Sequence, residues 1–153
     1  MDWIYAHLVV NHFPIVLSVI ASLAAVVAAL SDREGAWRYA AVTGLLAGIA
    51  APLAFLTGNR AEEIAESIPG LAEEAIETHE HWGLYALIAL GVAGLLAILA
   101  LVLRSKGARW VYAIAIWGAT AVAAMTANYG GKIEHDPAER AGTAAGASGD
   151  LVE

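Results

Sequence analysis

Residues 84–103 read LYALIALGVAGLLAILALVL, twenty consecutive residues without an acidic or basic side chain. At a rise of about 1.5 Å per residue, a helix of this length crosses the roughly 30 Å hydrocarbon core of a bilayer. Three further stretches without charged residues are equally long, and they run from Trp3 to Ser31, from Tyr39 to Asn59, and from Trp110 to Gly131. We therefore predict four transmembrane helices, near residues 8–30, 37–57, 82–104 and 109–129.

The composition of the whole chain agrees with a membrane protein. Apolar residues make up 59% of the 153 residues and charged residues only 15%, whereas an average soluble domain is about 25% charged. The predicted fold is all-α, an integral membrane four-helix up-down bundle over residues 1–135, followed by a low-complexity tail at 136–153. The absence of cysteine excludes disulfides, thiolate metal sites and covalent c-type haem attachment. No basic patch for nucleic acid is present.

The distribution of charge predicts an orientation. The connections between helices one and two and between helices three and four hold five of the eight basic residues: Arg33, Arg38, Arg104, Lys106 and Arg109. The positive-inside rule places these connections in the cytoplasm. Both termini then lie on the non-cytoplasmic side, which is the periplasmic side for a multi-pass protein of the bacterial inner membrane. No basic n-region precedes the first span, so we expect it to be retained rather than cleaved as a signal peptide.

The connection between helices two and three, residues 58–80, is predicted to be an extracytoplasmic loop. Within it, Ala61–Ile68 and Leu71–Thr78 read as two short helices separated by Pro69-Gly70. One face of this loop is acidic and holds Glu62, Glu63, Glu66, Glu73, Glu74 and Glu77. Two interpretations are open: a solvated charged face, or a docking surface for a basic partner such as a soluble c-type cytochrome.

All five histidines fall at the non-cytoplasmic ends of the predicted helices. His7 and His12 belong to helix one, His79 and His81 to helix three, and His135 follows helix four. Helices one and three of an up-down bundle are diagonal neighbours, so their histidines can reach one cofactor from two sides. Imidazole ligates haem iron, and b-type haem needs no cysteine. We predict His12 and His79 as an axial pair, with His81 as the alternative to His79, and His7 with His135 as a second pair.

Glycines at the level of the histidines have two interpretations. Gly58, Gly83 and Gly130 either leave room for a flat macrocycle or serve the close packing that is common between membrane helices. For the histidines themselves, the alternative to haem is a bound copper, zinc or iron ion, or interfacial side chains hydrogen-bonded to water or backbone.

Several of these residues recur in order in a known family. The series His7-x4-His12-Phe13-Pro14, Thr57-Gly58, His79-Glu80 and Gly130-Gly131 followed by His135 resembles a bacterial family of four-helix membrane proteins of unknown function. The resemblance covers nearly the whole chain up to about residue 136. It implies haem binding, and it makes His7, His12, His79 and His135 the positions that match the polar pattern of the family. Family members often have proline after the first histidine, where this chain has Leu8, so the entry to helix one differs.

Together these observations predict a membrane electron-transfer subunit. It would bind one or two b-type haems near the extracytoplasmic face, within a larger redox complex, and without catalysis of its own. Its partners would be the lipid bilayer, other subunits and a soluble cytochrome. Two alternatives stay open: a histidine-rich metal-binding membrane protein, and a structural accessory subunit of a respiratory or photosynthetic complex.

Overall fold

The computed structural model describes residues 2–65, 67 and 73–135, without the side chains of residue 73 and of residues 133–135. The predicted tail at 136–153 and residues 66 and 68–72 of the predicted loop lie outside the described residues. Within the described part there are five helices and no strand: α1 Trp3–Val10, α2 His12–Ser31, α3 Glu34–Ala65, α4 Glu73–Leu103 and α5 Lys106–His135. The all-helical fold is confirmed.

The first predicted span consists of α1 and α2, which Asn11 separates. Pro14 lies three residues further on and has no N–H, so the carbonyl of Val10 cannot receive its usual helical hydrogen bond. The helix is interrupted where that bond is missing. At the start of α1, the Asp2 carboxylate accepts a hydrogen bond from the Tyr5 N–H at 3.2 Å and caps the helix.

The loop predicted at residues 58–80 is shorter in the structure, because α3 continues to Ala65 and α4 begins at Glu73. The two short helices expected there are, as far as they are described, extensions of the spans themselves. Gly58 is tolerated inside α3 since a single glycine weakens a helix without ending it. Beyond it, Arg60 and Glu63 form an ion pair at 3.2 Å on one face of the same turn. At the other end of the chain, α5 includes His135, which was expected beyond the helix.

The bundle has small residues inside and large apolar residues outside. Its core is built mainly of alanines, among them Ala21, Ala40, Ala93 and Ala97, all fully buried. Large side chains such as Leu30, at 85% exposure, cover the outer surface. Close packing of small residues is typical of membrane helices, whose large side chains face lipid. Four helical segments are long and apolar enough to cross a bilayer, and the chain is accordingly a multi-pass membrane protein.

The two halves of the described chain repeat each other at an offset of 72 residues. The first helix of each hairpin ends at Ser31 and Leu103, and the second begins at Glu34 and Lys106. Asp32 and Arg104, also 72 residues apart, both adopt left-handed backbone conformations, with φ of 48° and 50°. The buried alanines follow the same offset, with Ala21, Ala25 and Ala28 in one half and Ala93, Ala97 and Ala100 in the other.

Contacts between the hairpins obey the same relation. On one side of the bundle α3 and α4 cross at Gly48 and Gly94, whose backbones nearly touch. The equivalent crossing joins α5 and α2, where Thr120 Oγ1 and Ser22 Oγ share a hydrogen bond at 2.8 Å. Since the offset exchanges helices that run in the same direction, the two hairpins are related by an approximate two-fold rotation along the bundle axis. We call the end with residues 32–33 and 104–105 the loop end, and the opposite end the histidine end.

Candidate functional site

Two histidines from equivalent positions of the repeat meet at the histidine end. His7 lies on α1 and His79 on α4, and their ring centroids are 6.2 Å apart with the ring planes inclined by 70°. Both side chains are largely buried between helices. The predicted approach of helices one and three across the bundle is therefore present, and it is His7 rather than His12 that comes against His79.

Each of the two imidazoles is hydrogen-bonded to the second helix of its own hairpin. His7 Nδ1 lies 3.1 Å from the carbonyl oxygen of Ala54, and His79 Nδ1 lies 3.1 Å from that of Thr126. A carbonyl can only accept, so Nδ1 carries the proton in both rings and donates it. In both hairpins 47 residues separate the histidine from its acceptor. The two hydrogen bonds are thus the same interaction, present once in each hairpin.

Glycines lie beneath both rings. A Cβ atom at Gly58 would come within 3.1 Å of His7 Cε1, and one at Gly130 within 2.8 Å of His79 Cε1. Both distances are tighter than ordinary van der Waals contact, so a larger residue at either position would displace the imidazole. The space that these glycines provide is therefore occupied by the histidine rings, whereas Gly83 has open space where its Cβ would be.

The second ring nitrogen of each histidine has no hydrogen-bond partner among the described residues. With the proton on Nδ1, Nε2 of a neutral imidazole carries a free lone pair. In metal sites a ligating histidine usually donates Nδ1–H to a carbonyl or carboxylate, which orients the ring and leaves Nε2 for the metal. The site thus offers two oriented nitrogen donors, one from each half of the repeat.

One further polar atom near this site lacks a partner. Asn11 follows His7 by one helical turn, and its backbone N–H donates to the His7 carbonyl at 2.9 Å. The side-chain oxygen of Asn11 is buried and accepts no hydrogen bond within the described part of the chain. Buried polar groups are rarely left unsatisfied in native proteins. The Asn11 oxygen is therefore an acceptor that remains to be matched by a donor other than the described residues.

Of the other predicted ligands, two are exposed on the helix surface and the third has no described side chain. His12 is exposed at the start of α2, and its Nδ1 bonds the carbonyl of Leu8 on α1. His81 is likewise exposed and bonds the carbonyl of Glu77 at 2.9 Å. His135 is the last residue of α5, and its side chain is outside the described part. Nowhere in residues 2–65, 67 and 73–135 do three histidine or acidic side chains gather in a group able to hold a metal ion.

The acidic residues predicted as a docking surface lie on the helix extensions at the histidine end. Glu62 and Glu63 are on the last turns of α3, and Glu74 and Glu77 on the first turns of α4. Glu63, Glu74 and Glu77 are exposed. Of the two remaining members of the set, Glu66 is outside the described residues, and of Glu73 only the backbone is described.

Sequence reasoning missed the residues that hold the histidines. The carbonyls of Ala54 and Thr126 carry no side-chain signal, and Asn11 was not singled out. The signal that could have found the site is the offset of 72 residues, which relates His7 to His79 and Gly58 to Gly130. Comparison of the chain with protein-family models, with curated proteins and with solved structures gave no match.

Proposed function

We propose that this chain is a membrane electron-transfer subunit that binds one b-type haem between His7 and His79. The observation that carries the proposal is the pair of imidazoles, whose ring centroids are 6.2 Å apart. In each ring Nδ1 is hydrogen-bonded to a carbonyl oxygen, and Nε2 has no hydrogen-bond partner among the described residues. Two imidazole nitrogens at about 2.0 Å from one metal place their ring centroids roughly 6 Å apart. The observed separation therefore suits two axial ligands of one iron.

The number of donors favours haem over a bare ion. Structural zinc sites take four protein ligands and catalytic ones three, whereas the described residues bring two histidines together and no third donor. In haem, four nitrogens of the macrocycle already bind the iron, so the protein needs to provide only one or two ligands. A pair of histidines thus meets the number of protein ligands that haem takes, and among the described residues it is fewer than the three or four that zinc takes.

Each protein group has a distinct part in holding such a cofactor. Haem, when bound, supplies one-electron chemistry. The carbonyls of Ala54 and Thr126 fix the rotation of the two rings and keep the proton on Nδ1. Thr57 Oγ1, 3.3 Å from His7 Nδ1, adds a second acceptor on that side alone. The buried Asn11 oxygen is available to a donor on the cofactor or to a water beside it.

Charge distribution supports an orientation and a partner for this proposal. With the basic loop end in the cytoplasm, the histidine end faces the periplasm of a bacterial inner membrane, and both termini lie on that side. The exposed acidic side chains of Glu63, Glu74 and Glu77 are at the same end of the bundle as the histidine pair. They would steer a basic soluble cytochrome toward the haem, as one component of a larger redox complex. The resemblance to the four-helix family points to the same cofactor.

A difference spectrum of the purified protein, dithionite-reduced minus oxidised, tests the proposal. We expect a sharp b-type α-band that is lost in His7→Ala and in His79→Ala and kept in His81→Ala, which removes an exposed imidazole from the same helix as His79. His12→Ala separates the two pairings: loss of the band there would restore the pair predicted from sequence. No band in well-folded, haem-supplemented protein would overturn the proposal, and elemental analysis would then report any bound ion.

A structural role is the second candidate function, and the hydrogen bonds from the two histidines to backbone carbonyls favour it. Each histidine links two helices through a hydrogen bond to a carbonyl, 3.1 Å long in both cases, and such a link stabilises a helix pair without any cofactor. An accessory subunit of this kind would lack an α-band, and His7→Ala would reduce recovery of its complex without removing a redox centre.

A further inference from the structure

Two cavities open at the loop end, and they are equivalents of each other in the repeat. The first is lined by residues that include Glu34, Arg38 and Arg109. The second is lined by Ala29, Asp32, Trp37, Lys106, Arg109 and Trp110. At an offset of 72 residues, Lys106 takes the position of Glu34, Trp110 that of Arg38, and Trp37 that of Arg109. The repeat thus places two similar cavities at the loop end, and their side chains differ.

The first cavity is filled by the protein itself. The Arg109 guanidinium bonds the Glu34 carboxylate and lies 5.9 Å from the ring centre of Trp37. About 10 Å³ of space is left, which holds no more than a single water. The charge of Arg109 is therefore matched within this cavity.

No ion pair of this kind between described residues fills the second cavity. A cation, Lys106, stands where the first cavity has the carboxylate of Glu34, and an indole, Trp37, stands where the first has the guanidinium. About 260 Å³ remains open. Lys106 Nζ lies 3.8 Å from Asp32 Oδ2, and both side chains are largely exposed, so this ion pair leaves both groups available at the rim of the cavity.

We infer that this second cavity binds the headgroup of a membrane phospholipid. The phosphodiester would pair with Lys106, and a hydroxyl or ammonium donor of the headgroup would bond Asp32. Trp110, half exposed at the rim, and Trp37, 6.4 Å away between ring centroids, form an aromatic wall of the kind found at the level of lipid headgroups. Basic pockets between membrane helices on the cytoplasmic side, where the positive-inside rule puts this end, bind phosphate-bearing lipid headgroups. The inference is independent of the haem proposal.

Native mass spectrometry of the delipidated full chain in detergent tests the inference, with phosphatidylethanolamine, phosphatidylglycerol and a diacylglycerol added in turn. We expect one bound lipid at low concentration for the first two. A diacylglycerol with the same acyl chains, which lacks the phosphodiester, should bind at least about fivefold more weakly. Lys106→Gln should weaken the phospholipids about fivefold or more, whereas it should leave the weak binding of the diacylglycerol unchanged.

Arg33→Gln is the matched control, because it removes one positive charge from the same end without touching the cavity lining. It should leave the affinities within about twofold. Equal binding of the diacylglycerol would overturn the inference in favour of general hydrophobic adsorption, and equal weakening by Arg33→Gln would overturn it in favour of general surface charge. Displacement of the bound lipid by equimolar inorganic phosphate would also overturn it, since the site would then recognise the free anion rather than the lipid.

Discussion

The ring centroids of His7 and His79 lie 6.2 Å apart, and the two residues occupy the same position in two hairpins repeated at an offset of 72 residues. A residue near the axis of an approximate two-fold rotation is brought close to its own equivalent, so one histidine in each repeat yields a facing pair. The repeat thus gives a physical reason why two histidines, rather than a cluster of three or four, meet here, and under the haem proposal these two would hold the iron.

Gly130→Ala should destabilise the histidine site. The new Cβ would lie 2.8 Å from His79 Cε1, and the ring cannot swing away without losing its bond to the Thr126 carbonyl. We expect a loss of about 1–3 kcal/mol in the free energy of unfolding, as for other overpacked sites. The measurement is thermal unfolding in detergent followed by circular dichroism, with the α-band recorded alongside if haem is bound.

Gly131→Ala is the control for that substitution, since a Cβ at Gly131 meets nothing within 4 Å. Alanine is a better helix former than glycine by about 1 kcal/mol, so this variant should be neutral or slightly more stable. Equal destabilisation by both substitutions would show that the contact with His79 is not what the glycine protects.

Gly48→Ala should separate α3 from α4. Its Cβ would lie 2.9 Å from the carbonyl oxygen of Leu90 and 3.1 Å from Gly94 Cα, and backbone atoms can yield only if the helices move apart. We expect a loss of about 1–3 kcal/mol in unfolding free energy, measured by the same thermal unfolding. Gly91→Ala, on α4 with open space around it, should cost nothing, and a comparable loss there would contradict the close crossing.

A substitution at the equivalent crossing of α2 and α5 should lower the free energy of unfolding less than Gly48→Ala does. Ser22→Ala removes the 2.8 Å hydrogen bond to Thr120 but introduces no clash, and hydrogen bonds between membrane helices contribute about 0.6 kcal/mol on average. We expect a loss of that order in unfolding free energy, smaller than that of Gly48→Ala. The reverse order of the two variants would contradict the equivalence of the crossings.

The sequence was sufficient to predict the all-helical fold and four candidate spans, because hydropathy over about twenty residues decides both. It was not sufficient for the ends of the helices. The run of charged residues from Arg60 to Glu63 suggested a separate loop helix, yet helical hydrogen bonding continues through it to Ala65, since polar residues outside the hydrocarbon core are good helix formers.

Helical periodicity alone could not predict which histidines face each other. Asn11 keeps a helical backbone, with φ of −63° and ψ of −22°, and five residues correspond to about 140° of rotation around a helix. His12 is therefore on the exposed surface when His7 is on the inner one, but periodicity does not say which of the two faces His79. The repeat would have predicted the pair, because it matches His7 with His79, and Gly58 with Gly130. Eleven further identities between the two halves accompany these, but seven of them are alanines, and alanine matches carry little signal in a chain so rich in that residue.

Single cysteines can test the orientation of the bundle, because the chain contains no cysteine of its own. Ser67, between α3 and α4, and Ser105, between α4 and α5, are both exposed and lie at opposite ends. The positive-inside rule places Ser105 in the cytoplasm. A membrane-impermeant maleimide should therefore label Ser67→Cys in intact bacteria and label Ser105→Cys only after the inner membrane is opened. The opposite pattern would place the histidine pair and the acidic helix extensions in the cytoplasm, and a periplasmic cytochrome could then no longer be the partner, whereas the His7–His79 site itself would be unaffected.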